Sequence, residues 1–155
     1  MVYHQPFFYL KLLWESSLPQ KSGYITKHVR IAVKKLGLIA GFDIGAQQAA
    51  KGSNRYNTWY SPVLIARYAI SEKVAIAGRA EYYSDESEVI IPTGTPNGFQ
   101  TFGYSVNLDV KVRERVLWRL EGRVLDSNRD PIFTDSDGNP TERNVFVGTS
   151  LSISM

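Results

Sequence analysis

Thr101-Phe-Gly-Tyr-Ser-Val-Asn-Leu-Asp-Val-Lys-Val112 sorts without exception into two sets. Phe102, Tyr104, Val106, Leu108, Val110 and Val112 occupy the even positions; Thr101, Gly103, Ser105, Asn107, Asp109 and Lys111 occupy the odd ones. A β-strand turns successive side chains to opposite sides, and its period of two produces this sorting where the 3.6-residue period of a helix cannot. At this composition so clean a split arises by chance roughly once in several thousand windows. The segment is a strand with one apolar and one polar face.

The same period recurs on both sides of it. Residues 116–125 set Val116, Trp118, Leu120, Gly122 and Val124 against Leu117, Arg119, Glu121, Arg123 and Leu125. Residues 74–83 set Val74, Ile76, Gly78, Ala80 and Tyr82 against Ala75, Ala77, Arg79, Glu81 and Tyr83. In 144–155, Val145, Val147, Thr149, Leu151, Ile153 and Met155 alternate with Asn144, Phe146, Gly148, Ser150, Ser152 and Ser154. Towards the start, Leu36, Leu38, Ala40, Phe42 and Ile44 share a face. Residues 56–70 are apolar on both faces, with Tyr60, Leu64, Ala66, Tyr68 and Ile70 on the cleaner one. Residues 24–34 place Ile25, Val29, Ile31 and Val33 opposite His28, Arg30 and Lys34, and 6–15 forms an eighth segment with sparser alternation.

Connections between these eight segments alternate in length. Lys34-Lys35, Ser71-Glu72-Lys73 and Arg113-Glu114-Arg115 are tight turns, whereas 16–23, 47–56, 84–99 and 126–142 are long and rich in Gly, Pro, Ser, Asn and Asp. The expected architecture is therefore all-β: an antiparallel up-and-down meander in a single domain spanning residues 1–155. Short turns at one end and long loops at the other are the asymmetry of a transmembrane β-barrel.

Composition narrows the alternatives. At 43% hydrophobic and 21% charged, the chain of 155 residues has enough apolar material to fold. No stretch approaches the ~18 uninterrupted apolar residues of a membrane helix. A net charge of +3, dispersed along the chain, gives no nucleic-acid footprint. With no cysteine, disulfides, zinc–thiolate centres and cysteine nucleophiles are excluded. The N-terminal apolar run carries Lys11 and lacks a basic leader and a small-residue cleavage site, so it does not read as a signal peptide.

Alternation alone does not say which face is buried, because a soluble sheet and a membrane barrel share it. Three features favour lipid on the apolar side. The polar rows carry Arg67, Arg79, Glu81, Asn107, Asp109, Lys111, Arg119, Glu121 and Arg123, a mixture of signs suited to a hydrated lumen. Aromatic residues sit towards the ends of the apolar rows: Tyr60 and Tyr68 share a face, about 26 Å apart along a strand, and Tyr82, Phe102, Tyr104 and Trp118 fit the same lipid-facing belts. Segments of this length also exceed ordinary soluble strands and match a tilted membrane crossing.

Several of these segments, taken in order, resemble a known family. Leu36-Gly-Leu-Ile-Ala-Gly-Phe-Asp-Ile-Gly45, Trp59-Tyr-Ser-Pro-Val-Leu-Ile-Ala-Arg-Tyr-Ala-Ile70 and Val74-Ala-Ile-Ala-Gly-Arg-Ala-Glu-Tyr-Tyr83 are similar to the β-barrel porins of Bacteroidetes, and the likeness continues through 98–109, 117–123 and 145–155. It spans about residues 5–155 and lies in the order of segments, with no single diagnostic motif. The resemblance implies a bacterial outer-membrane porin, made with a signal peptide and further strands, of which this chain is the C-terminal part. Implied partners are outer-membrane lipid and lipopolysaccharide, small polar solutes, and the barrel assembly machinery acting on the last strand. Such barrels typically end on an aromatic residue; here the last residue is Met155, although Leu151 and Ile153 keep the spacing.

Enzymatic constellations are scarce. His4 and His28 are the only histidines and have no ligand spacing, and no nucleophile, phosphate-loop or dinucleotide motif is present. Asp135-Ser-Asp137-Gly-Asn139 starts like a calcium loop, but Gly138 follows the second Asp directly, and a turn is the simpler reading. Asp85, Glu86 and Glu88 in another long loop read as a solvated tip, with a cation or lipopolysaccharide-bridging divalents as the alternative. The expectation is a non-enzymatic porin without catalytic residues, metal or cofactor, passing small polar solutes through a charged lumen. Two rivals follow from the same pattern: a soluble β-barrel or sandwich holding an apolar ligand, and a small non-conducting membrane anchor or adhesin.

Overall fold

The computed structural model describes residues 7–15 as backbone alone, and residues 21–127 and 129–154 in full. His4, Met155 and the side chains of 6–15 lie outside the described residues. The chain forms β1 (Phe7–Glu15), β2 (Ser22–Val33), β3 (Leu36–Gln48), β4 (Tyr56–Ala69), β5 (Val74–Asp85), β6 (Phe99–Arg113) and β7 (Val116–Ser127). A small hairpin of β8 (Phe133–Thr134) and β9 (Pro140–Thr141) precedes β10 (Arg143–Ile153). One sheet of eight antiparallel strands runs in the order β1-β2-β3-β4-β5-β6-β7-β10, in chain order apart from the separate β8–β9 hairpin between the last two. The up-and-down meander read from the alternation is the fold.

Local chemistry explains the connections. The two-residue turn at Lys34-Lys35 needs a left-handed residue to follow the strand twist, and Lys34 supplies it with φ of 50°. Ser71 closes the β4–β5 turn by accepting from the amides of Lys73 and Val74 at 3.2 and 3.1 Å. A register shift between Lys111 and Arg113 bulges the end of β6 before the turn at Glu114-Arg115. All three tight turns lie at one rim. The long connections lie at the other, where Gly52 takes φ of 80° with open space around it.

The two faces of the sheet differ in the opposite sense to a soluble protein. On β6, Val106 is 58% exposed whereas the adjacent Ser105 is 7% and Asp109 4% exposed. Leu64, Ile76, Val147, Leu151 and Ile153 are likewise open, while Ala75 and Ala77 on the polar side are buried. Side chains crowd on the face towards which a sheet curls and splay on the other, so the polar rows line the sheltered face. Small residues make that crowding feasible. A Cβ at Gly41 would lie 2.5 Å from the His28 ring, one at Gly45 would collide with the Trp59 indole, and one at Gly103 would lie 2.7 Å from Glu81.

The sheet is open. Among the described residues, β1 pairs with β2 alone and β10 with β7 alone, so each leaves one edge unpaired. No second layer of described residues covers the apolar rows.

Candidate functional site: the charged sheltered face

The strand register sets the charges in rows. Arg79 and Glu81 on β5 share a side with Arg123 on β7, because Arg79 pairs with Ser105, which pairs with Arg123, and Glu81 pairs with Gly103. Gly103 leaves room for the Glu81 carboxylate between the two cations. Arg79 donates from Nε to Glu81 Oε2 at 2.9 Å, and Arg123 forms an ion pair with Oε1. One carboxylate thus bridges two guanidiniums, a cluster with an excess positive charge.

Nearer the tight-turn rim, Asp109 pairs directly with Arg119 across β6 and β7. Arg119 donates from Nε to Oδ1 at 2.7 Å and from Nη2 to Oδ2 at 2.9 Å, the bidentate fork that makes arginine–carboxylate pairs strong. Asn107 donates its side-chain amide to Asp109 Oδ1 at 2.9 Å. Arg67 on β4 approaches Oδ2 only to 4.0 Å. Glu121 lies in the row of Arg67, Ala77 and Asn107, and Lys111 lies beyond Asp109 towards the rim. All nine charged and amide residues expected on one side share a face by register; Arg67, Arg79 and Lys111 are exposed there and Asp109 is buried.

A hollow of about 270 Å³ opens between Arg30, Arg67, Arg79, Asn107, Asp109 and Glu121. A second, of about 280 Å³, lies at the tight-turn rim between Arg67, Lys73, Asp109, Lys111 and Arg115. Both carry charged groups of both signs, and the first also touches Leu38, Ile39 and Ile65. Their charged linings can bind and orient charge.

On the open face the aromatic residues form a continuous band. Phe42 and Tyr60 stack at 6.4 Å, Tyr60 meets Tyr82 at 6.0 Å, Tyr82 meets Phe102 at 4.5 Å, and Phe102 stacks on Tyr104 at 6.4 Å. The band crosses β3 to β6 near the long-connection rim. Tyr68 and Trp118 stand at the opposite, tight-turn end, where Trp118 Nε1 donates to Thr149 Oγ1 at 2.8 Å. The six residues expected in belts thus divide four to one rim and two to the other.

Sequence reasoning missed three rings on the sheltered face. Trp59 stacks on Tyr83 at 6.0 Å, and Phe99 meets Tyr83 edge-on at 5.6 Å. Segment 56–70 is apolar on both faces, a sign that rings line both sides, but without the register their partners could not be assigned. Arg30 and His28 also belong to this face, opposite Ile39 and Gly41 of β3.

The long connections are knitted structures in their own right. Asp85, fully buried, accepts from the amides of Val89, Ile90 and Ile91 at 2.8, 2.7 and 3.0 Å. Glu88 accepts from the Thr93 hydroxyl at 2.7 Å and from the amides of Thr93 and Gly94 at 2.8 and 2.7 Å, which hold its carboxyl below the usual range. Gly98 closes this loop with φ of 62°, its α-carbon so near the Asp85 carbonyl that a Cβ would lie 2.5 Å away. The Asp135 carboxylate is likewise held low by its own turn, through the amides of Asn139 and Asp137 at 2.8 and 2.9 Å. These acidic groups serve as turn acceptors. The long connection over 126–142 is not wholly irregular: it contains the β8–β9 hairpin.

A family model described as "Putative beta-barrel porin-2, OmpL-like" matches residues 24–155. No curated protein and no solved structure matches the chain.

Proposed function

Because the chain belongs to the OmpL-like β-barrel porin-2 family, we propose that it forms lumen wall in a bacterial outer-membrane porin, through which small polar solutes diffuse passively. One observation carries this reading: large apolar side chains stand exposed along one face of the sheet, whereas Ala75, Ala77, Ser105 and Asp109 on the face that carries the charges are buried. Exposed Val, Leu and Ile across a whole sheet face are stable when the surrounding solvent is hydrocarbon, and the aromatic band suits its interface with water. On this reading Arg67, Arg79, Glu81, Asn107, Asp109, Lys111, Arg119, Glu121 and Arg123 line the lumen. Tyr60, Tyr68, Tyr82, Phe102, Tyr104 and Trp118 face lipid.

Such a wall works by sieving and electrostatics. Solutes keep most of their hydration, and the surplus of guanidinium over carboxylate at mid-wall favours anions. Unpaired backbone groups cost several kcal/mol each in hydrocarbon, so in the membrane the free edges of β1 and β10 are paired, with one another or with further strands. Outer-membrane lipid, lipopolysaccharide and the assembly machinery are the partners that this setting supplies. The soluble alternative needs the apolar rows packed around a ligand, which is the reverse of their exposure.

Planar-bilayer recording tests the reading. Ohmic channels with a reversal potential favouring chloride over potassium are expected, and Arg79→Glu with Arg119→Glu should move it towards potassium. Stable insertion without conductance would instead favour an anchor, whose long, knitted loops would carry the activity.

A further inference from the structure

Of the four arginines expected to line the wall, three are already engaged. Arg79 and Arg123 share Glu81, and Arg119 holds both oxygens of Asp109. Arg67 is different. Its one ionic neighbour is Asp109 Oδ2 at 4.0 Å, an oxygen that already accepts from Arg119. Among the described residues it makes no hydrogen bond, and its side chain is 53% exposed. A guanidinium has five N–H donors, and among the described residues none of those of Arg67 is taken up, while Asp109 attracts the group by charge.

Position adds to chemistry. Arg67 and Asp109 line both hollows, the mid-wall one and the one at the tight-turn rim. A solute moving along the sheltered face between them passes Arg67. Its neighbours in the strand register are Gly37 and Ala77, which leave the guanidinium unobstructed by large side chains. Lys73 and Lys111 line the rim hollow and draw anions towards it, while Glu121, further along the same row, repels them and so orients a solute's charged end.

We infer that Arg67 is a specificity-determining residue: a weak binding station where a small solute bearing a carboxylate or phosphate docks on the free guanidinium between the two hollows. The planar fork matches two oxygens of either group, which a point charge does not. The station must be weak, because a solute that binds tightly does not leave. Its meaning for transport rests on the porin reading, but the binding itself does not.

The test titrates the folded protein in detergent with inorganic phosphate and, separately, with succinate, following the Arg67 side-chain resonance and the heat of binding. Millimolar binding is expected for at least one, and the two titrations decide between phosphate and carboxylate chemistry. Arg67→Gln should weaken it at least tenfold. Arg67→Lys, which keeps the charge and the fold, should recover only part, and Arg55→Gln in a long connection should change it less than twofold. Absence of binding to the wild type, or equal binding by Arg67→Gln, overturns the inference. Bilayer recording separates the two readings. Arg67-dependent binding without conductance removes the porin and keeps the station; conductance with binding indifferent to Arg67 does the reverse.

Discussion

Ser105 and Val106 are adjacent in the chain and opposite in surroundings: the hydroxyl is sheltered and the isopropyl group is open. The contrast extends across the sheet, from Ala77 against Ile76 to Asp109 against Leu120. In a water-soluble sheet the ranking would be reversed, since burying apolar area gives about 25 cal/mol per Å² and exposing it forfeits that gain. An arrangement that shelters its ions and exposes its hydrocarbon is stable where the outer solvent is itself hydrocarbon. Packing obeys the same division. The sheltered face is filled by rings and carboxylates set over glycines, and the open face has space to spare.

The sharpest way to break this comparison is to place a charge on each face. Val106→Arg should cost about 2–4 kcal/mol of folding stability in lipid vesicles, the penalty for a cation near mid-bilayer. Asn107→Arg, one residue on and beside Glu121, should cost less than about 1 kcal/mol. Denaturant titration in vesicles reads both, and a cheaper Val106 variant would falsify the lipid-facing assignment.

A methyl group probes the same difference more gently. Gly45→Ala drives a Cβ into the Trp59 indole and should destabilise by about 1–3 kcal/mol. Gly122→Ala has nothing within 4 Å to meet and should stay within about 0.5 kcal/mol of the parent. Equal effects in the same titration would mean that the two faces are equally packed. Smaller again is Trp118→Phe, which removes the hydrogen bond to Thr149 and should cost about 0.5–1.5 kcal/mol.

The least energetic test lies outside the sheet. Glu88 has its carboxyl pKa lowered in the folded loop, so its contribution is complete above the ordinary carboxylate pKa and is lost as pH falls through the lowered one. The amide resonances of Thr93 and Gly94 should follow that titration with a midpoint below the ordinary value, while strand amides stay fixed. A midpoint at the ordinary value would show that the loop does not hold the carboxylate.

The alternation at 101–112 was enough to place β6, and its recurrence placed the other long strands, because a period of two survives any tertiary context. The tight turns were equally plain, since two or three polar residues between alternating runs leave no other geometry. Tertiary pairings were not legible. Nothing local says that Glu81 sits between Arg79 and Arg123, or that Trp59 lies over Gly45; these follow from register, which depends on loop lengths and curl. β3 runs on to Gln48 and β6 begins at Phe99 for a related reason. Gln47 and Gln48 look loop-like by type, yet pairing with neighbouring strands holds them extended. The β8–β9 hairpin, two residues a side, is too short for alternation to register.

The unequal rims also fix where the chain tolerates extra length. At the tight-turn rim, Lys34-Lys35 joins β2 and β3 with the ladder matched up to Val33 and Leu36, so a tag inserted there would shear it on both sides. At Gly52, with φ of 80°, a side chain would meet nothing within 4 Å. An epitope or a protease site spliced there should leave assembly intact and, if the outer-membrane reading holds, would report from outside an intact cell which rim faces outward.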